Sequence, residues 1–250
     1  MKFPERLFPI RAATAGACLV CIGAASAADL PLRSLPLPAA PDASGAYTWT
    51  GLYLGVHAGY AGGRDKVKDI FTPTGQFTGL ESAYATKGAI AGIHGGANYQ
   101  YGALVAGVVV DFEASGLRGG FNDLPIPPFN PGGISHSTVQ GQGSLRGKLG
   151  AAYDRFLVYA TGGLAVGNLK YDYFNPSNGL GETTSAWHSG WTAGLGIEYA
   201  VTDHITAFAE YRATKYGKFK YASRVAYAGF LTGEQQPRFN SAMVGVSYKY

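Results

Sequence analysis

The sequence predicts an all-β fold: an eight-stranded antiparallel up-and-down transmembrane β-barrel behind an N-terminal signal peptide. Three observations predict it. Apolar side chains alternate with polar ones or glycine along eight segments of about ten residues. The connections between these segments alternate between tight and long. Aromatic residues on the apolar faces gather at two heights.

Composition agrees. Only 14% of the 250 residues are charged, where a soluble globular chain carries about 25%. There are 37 glycines and 17 tyrosines, which suits many strands with aromatics at a membrane interface.

The N-terminus reads as a secretory signal. Lys2, Arg6 and Arg11 precede the apolar run 12–22, and Ala25-Ser26-Ala27 offers a small-residue cleavage site. That run is too short to span a bilayer, which takes about 20 residues. Residues 1–27 hold both cysteines, Cys18 and Cys21, so the mature chain would have no disulfide and no thiolate ligand. Removing Lys2, Arg6, Arg11 and Glu5 leaves 17 basic against 15 acidic residues, which is no footprint for nucleic acid. Residues 28–48 are proline-rich and aperiodic and read as a periplasmic tether; residues 49–250 are the barrel domain.

The strands are expected at about 50–60, 87–101, 104–114, 144–153, 156–170, 190–199, 205–216 and 239–250. In the first, Leu52, Leu54, Val56, Ala58 and Tyr60 share one face, against Tyr53, Gly55, His57 and Gly59 on the other. In the last, Val244, Val246, Tyr248 and Tyr250 oppose Ser247 and Lys249. Tight turns at 101–103, 154–155 and 200–204 would be periplasmic, and 61–84, 115–143, 171–187 and 217–237 would be external loops. An even strand count puts both barrel ends on the periplasmic side. Among outward aromatics, Tyr99, Tyr101, Tyr153, Tyr199, Tyr248 and Tyr250 fall near the periplasmic ends; Tyr60, Phe112, Trp191 and Tyr211 lie higher. At about 3.3 Å per residue and about 40° of tilt, the two belts are roughly 20–23 Å apart, near the height of an outer-membrane apolar band.

Several stretches resemble a known family. They are 49–55 (WTGLYLG), 145–165 (LRGKLGAAYDRFLVYATGGLA), 190–199 with Thr202-Asp203 and Ala209-Glu210-Tyr211, and the terminal 244–250 (VGVSYKY). They are similar to the outer-membrane immunogenic proteins of alphaproteobacteria, a porin-like family related in fold to the OmpA membrane anchor. The resemblance covers about 28–250 and implies an eight-stranded outer-membrane barrel exposed as a surface antigen. It also implies that Val244, Val246, Tyr248 and Tyr250 form the signal presented to the barrel-assembly machinery; the final aromatic here is tyrosine, where phenylalanine is commoner.

The polar faces collect Asp111, Glu113, Glu198 and Glu210 with Arg146, Lys148, Arg212 and Lys249. An eight-stranded barrel is just wide enough for side chains to fill, so the set reads as a packed ion-pair network, with a narrow polar conduit as the alternative. His57 and His94 point inward at similar heights and are candidate metal ligands beside Asp111 and Glu113. His188, near Ser185 and Trp187, raises the further alternative of a lipid-modifying hydrolase.

The expected function is that of a non-enzymatic surface and structural protein without a cofactor, which serves as an antigen, supports envelope integrity and binds through its loops. A narrow channel for small solutes or ions and a small-ligand or metal-binding barrel are the alternatives. The expected partners are outer-membrane lipid and lipopolysaccharide, the assembly machinery, and host or phage ligands at the loops. The basic residues of 65–69 and 215–220 are placed to meet lipopolysaccharide phosphates.

Overall fold

A computed structural model describes residues 47–123, 133–175, 179–222 and 231–250. The expected signal peptide and most of the tether lie outside these residues. The described chain forms ten strand segments: β1 (Gly51–Phe71), β2 (Gln76–Tyr101), β3 (Leu104–Asp123), β4 (Gly133–Tyr153), β5 (Phe156–Asn175), β6 (Leu180–Ala200), β7 (Ile205–Tyr216), β8 (Phe219–Ala222), β9 (Leu231–Gln235) and β10 (Arg238–Lys249). Eight of them, β1 to β7 and β10, pair antiparallel with their neighbours, and β10 pairs back onto β1 to close the ring. The two extra segments extend the wall. β9 continues the ladder beside β1 above β10, over Val67–Phe71, and β8 pairs with β9.

Register fixes the barrel's shape. Directly paired residues run from Gly63 through Phe239, Thr214, Thr192, Gly163, Arg146, Val109 and Gly96 to Tyr53, ten residues lower on the starting strand. Eight strands with that stagger give a tilt of about 40° and a backbone radius of about 8 Å. Every side chain on this path faces inward, so closure stacks the lumen in layers.

The tight connections are as short as expected. Gly102 and Asp154 open the β2–β3 and β4–β5 turns with positive φ, a conformation that a two-residue hairpin requires and that glycine and aspartate tolerate. The other ends differ from the expectation. Segments read as loops at 61–84 and 171–187 are largely strand, and β1 runs to Phe71. The alternation does continue there: Ala61, Asp65 and Val67 are buried while Arg64, Lys66 and Lys68 are exposed. What changes is the outward face, from apolar to charged, because the strand has left the hydrocarbon. Register shifts at Lys68/Ile70, Ala114/Leu117 and Val139/Gly141 all lie on the loop side of the outward apolar band, where a bulge re-aims a strand without breaching it.

The outward face is apolar between the two belts. Leu54, Val56, Val108, Leu149, Val158, Leu195, Ile197 and Val246 are all exposed. Projected on the axis with the register's tilt, the two sets of outward aromatics lie about 20 Å apart. A surface this apolar is stable only against lipid.

Candidate functional site

The lumen holds three stacked layers. At the end that carries the tight turns, Trp49, Val105, Ala152, Leu157, Tyr159 and Ala200 form a buried apolar cluster together with Tyr47. Trp49 is 1% exposed; its indole Nε1 donates to Asp154 O at 3.1 Å, and its backbone N donates to Gln100 Oε1 at 2.7 Å. Tyr47 packs edge-on against it at 4.9 Å. The end of the expected tether is therefore folded into the barrel mouth as a plug. A second apolar cluster crosses the lumen nearer the long connections: Ala61, Ile90, Leu117, Val139, Leu169, Tyr216, Phe239 and Met243 among them.

Between these plugs lies the polar layer, and it matches the expected set with one exception. Arg146 Nη2 donates to Asp111 Oδ2 at 2.8 Å and its Nη1 to Glu210 Oε1 at 2.6 Å. Arg212 Nη1 donates to Glu113 Oε1 at 2.6 Å, while its Nε reaches Glu210 Oε1 at 2.9 Å. Lys148 Nζ donates to Glu198 Oε2 at 2.6 Å and stands 4.3 Å from the centre of the Tyr159 ring. The remaining lone pairs are also used: Tyr159 OH donates to Glu210 Oε2 (3.1 Å), Thr206 Oγ1 to Glu198 Oε1 (2.6 Å), and Ser144 Oγ to Asp111 Oδ2 (2.6 Å). Buried charge is tolerable only when paired and fully hydrogen-bonded in this way.

Lys249 is the exception. It lies at the rim on the tight-turn side, where Nζ donates to Thr48 O and sits 4.2 Å from the Tyr47 ring centre. Alternation assigned it the inward face correctly, but the last residue of β10 has already passed below the network. Four lumen acids therefore meet three lumen cations, and Glu113 takes further hydrogen bonds from His57 and from Gln142 Nε2.

The histidine pair meets as expected. His57 Nδ1 and His94 Nδ1 are 3.2 Å apart, His57 Nε2 is 3.0 Å from Glu113 Oε1, and His94 Nε2 is 2.8 Å from Ser247 Oγ. An ionised carboxylate only accepts, so His57 Nε2 donates to it. With both imidazoles neutral, the order is Ser247 Oγ–H to His94, His94 Nδ1–H to His57, and His57 Nε2–H to Glu113. The metal expectation is corrected here: all four ring nitrogens have protein partners, and among the described residues no group of three potential ligands is placed to hold a metal. Glycine makes the pair possible. A Cβ at Gly55 would stand 2.6 Å from His94 Cε1 and Nε2, so the ring lies flat against the β1 backbone.

The space left among Tyr53, His94, Arg146, Lys148, Glu198 and Glu210 is about 20 Å³, room for about one water. The Ser185–His188 alternative also fails on geometry. The two lie on opposite faces of β6, and Ser185 Oγ donates to Asn168 Oδ1 at 2.7 Å.

Alternation alone found the polar layer. The plugs escaped it, because their residues are apolar on a face read as polar; the signal was the inward run of Val105, Leu157 and Ile90 beyond the charged positions.

Comparison with protein families and curated relatives agrees with an outer-membrane barrel. The outer membrane protein beta-barrel domain family matches residues 15–250. The 31 kDa outer-membrane immunogenic protein of Brucella melitensis is 34% identical over 229 residues, covering 85% of this chain and 89% of that protein. A 22 kDa outer membrane protein of Rhizobium leguminosarum is 29% identical, covering 81% and 79%. Among solved structures, the outer membrane protein OprG of Pseudomonas aeruginosa aligns at TM-score 0.48 and 12% identity, covering 80% of this chain and 96% of that one.

Proposed function

This chain belongs to the outer-membrane protein β-barrel family, and on that premise we propose that it is a sealed, non-enzymatic envelope barrel with periplasmic termini that works through its outer surface. The observation that carries this reading is the three-layer lumen: a charged network enclosed by apolar plugs, with space for about one water between them. A conduit needs continuous hydrated space, which the plugs deny.

The proposed orientation is supported by which connections share an end with the termini. Tyr47 and Lys249 share one end of the barrel with the tight turns. The opposite end carries the extended strands and the long connections, where host or phage ligands and antibodies would meet the protein. The assembly machinery would engage Val244, Val246, Tyr248 and Tyr250, all exposed on the lipid face of β10 and its end.

Two measurements test the proposal. Single cysteines placed at Gly75 and at Asp203 are probed with an impermeant maleimide on intact cells; labelling at 75 alone is expected, and labelling at 203 alone reverses the orientation. Proteoliposomes carrying the barrel should not swell in arabinose, and swelling would restore the channel reading.

A further inference from the structure

The outer rim carries five outward cations on five consecutive strands of the ring. They are Arg118 on β3, Lys87 on β2, Arg64 on β1, Arg238 on β10 and Lys215 on β7. Lys215 is half-buried and the other four are exposed. Two of the pairs are directly opposite in register: Lys87 with Arg118, and Lys215 with Arg238. Like charges facing each other across strands destabilise a sheet, so an unrelieved arrangement of this kind is a cost that the barrel carries twice.

Among the described residues, Asp65, buried beside Arg238, relieves it in part at that one position. The other direct partners of the five are Ala85, Gly62, Thr138 and Trp191, none of them acidic. Among the described residues, the ion pairs of the outer barrel join Lys170 to Asp172 and Glu234 to Lys218 and Lys220, and the five take part in none of these. Anionic partners for the rest of the arc would come from outside the chain.

Height and shape say which partner. Projected on the barrel axis, the five side chains fall within about 8 Å of one another, about 10 Å beyond the outer aromatic belt, along an arc of roughly 25 Å. That is the level of headgroups rather than of hydrocarbon or open solvent. Below Arg238 and Lys215, a shallow apolar trough opens on the lipid face across β1, β5, β6, β7 and β10. Its floor is small, with Ala58, Ala209 and Ala242, and its walls are Leu195, Ile197 and Val244.

We propose that this arc binds the phosphorylated headgroup of an outer-leaflet glycolipid, with one of its acyl chains lying in the trough. The proposal rests on the orientation given under the proposed function. Lysine supplies a point charge and arginine a fork that takes two phosphate oxygens at once; each opposed pair would be relieved by a phosphate between its members.

The test uses the full-length mature barrel, refolded without lipid in a zwitterionic detergent, with binding read by native mass spectrometry. The probes are bisphosphorylated lipid A, its dephosphorylated form, phosphatidylglycerol and inorganic phosphate. The wild type should prefer the bisphosphorylated over the dephosphorylated lipid by about tenfold or more. The variant K87Q/R118Q/K215Q/R238Q should lose that preference, and K170Q, away from the arc, should keep it. Equal binding of both lipid A forms by the wild type, or an unchanged preference in the quadruple variant, overturns the proposal. Equal binding of phosphatidylglycerol makes the arc a general phospholipid contact, and displacement by millimolar inorganic phosphate makes it a bare anion site; either result also overturns it. Heat-modifiable migration reports folding, and if the quadruple variant does not fold, the wild-type comparison decides alone. Labelling at position 75 with failure of the lipid arms removes this inference and leaves the orientation standing.

Discussion

Arg146 reaches across the lumen to Glu210: its Nη1 lies 2.6 Å from the carboxylate Oε1, while Nη2 holds Asp111 at 2.8 Å on its own side. β4 and β7 are three strands apart in the ring, so this guanidinium ties opposite walls together. Replacing it by alanine would leave the buried carboxylates of Asp111 and Glu210 with Arg212 as their one shared cation. Arg146→Ala should cost about 3–5 kcal/mol, the price of breaking a buried pair from one side, measured by urea unfolding of the barrel in bilayers.

Trp49 closes the barrel mouth at the tight-turn end from outside the strands. Trp49→Ala removes a side chain that is 1% exposed, together with its hydrogen bond to Asp154 O. A loss of about 3–5 kcal/mol is expected for a buried tryptophan. An unchanged unfolding curve would show that the plug adds nothing to the barrel's stability.

Asp65 lies above the outer aromatic belt, buried beside Thr86, Gln235 and the backbone N of Arg238, which donates to its Oδ1 at 3.2 Å. Burial pushes its carboxyl up to about 6 from 3.8, against the opposing pull of those hydrogen bonds and the Arg238 charge. A raised folded-state value means that the native barrel holds the proton more tightly than the unfolded chain. Its stabilising effect is complete below about pH 4 and disappears as pH rises through about 6, a span worth at most about 3 kcal/mol. Comparing unfolding at pH 4 and pH 7 should show this loss in the wild type and a flatter dependence in Asp65→Asn.

Leu195 is 68% exposed on the lipid face of β6, near the middle of the apolar band. Leu195→Arg should destabilise the barrel by about 2–4 kcal/mol in bilayers, whereas the same change at exposed Ala83, above the band, should cost little.

Much of this was legible in the residues. A period of two put Asp111, Glu113, Arg146, Lys148, Glu198, Glu210 and Arg212 inside and Leu54, Leu149 and Val246 outside, because a closed barrel has only two faces and the lipid dictates one of them. It also brought His57 beside His94. Three features were not legible. Strand ends above the membrane were hidden, since Arg64, Lys66 and Lys68 replace apolar outward residues once lipid gives way to headgroups. The heights of inward residues were hidden too: Lys249 obeys the alternation yet sits below the network, because the ten-residue stagger is a property of closure and of no single strand. The same stagger brings Arg64, Lys87, Arg118, Lys215 and Arg238 to one level, although they are spread over more than 170 residues of chain.

The most direct test of the sealed lumen is planar-bilayer conductance of the purified barrel, with the wild type beside Arg146→Ala/Lys148→Ala. A silent wild type, with the double variant silent as well because both apolar plugs remain, is the predicted result. Reproducible steps in the wild type would mean that ions pass the plugs at Trp49 and Ile90, and would contradict the sealed barrel.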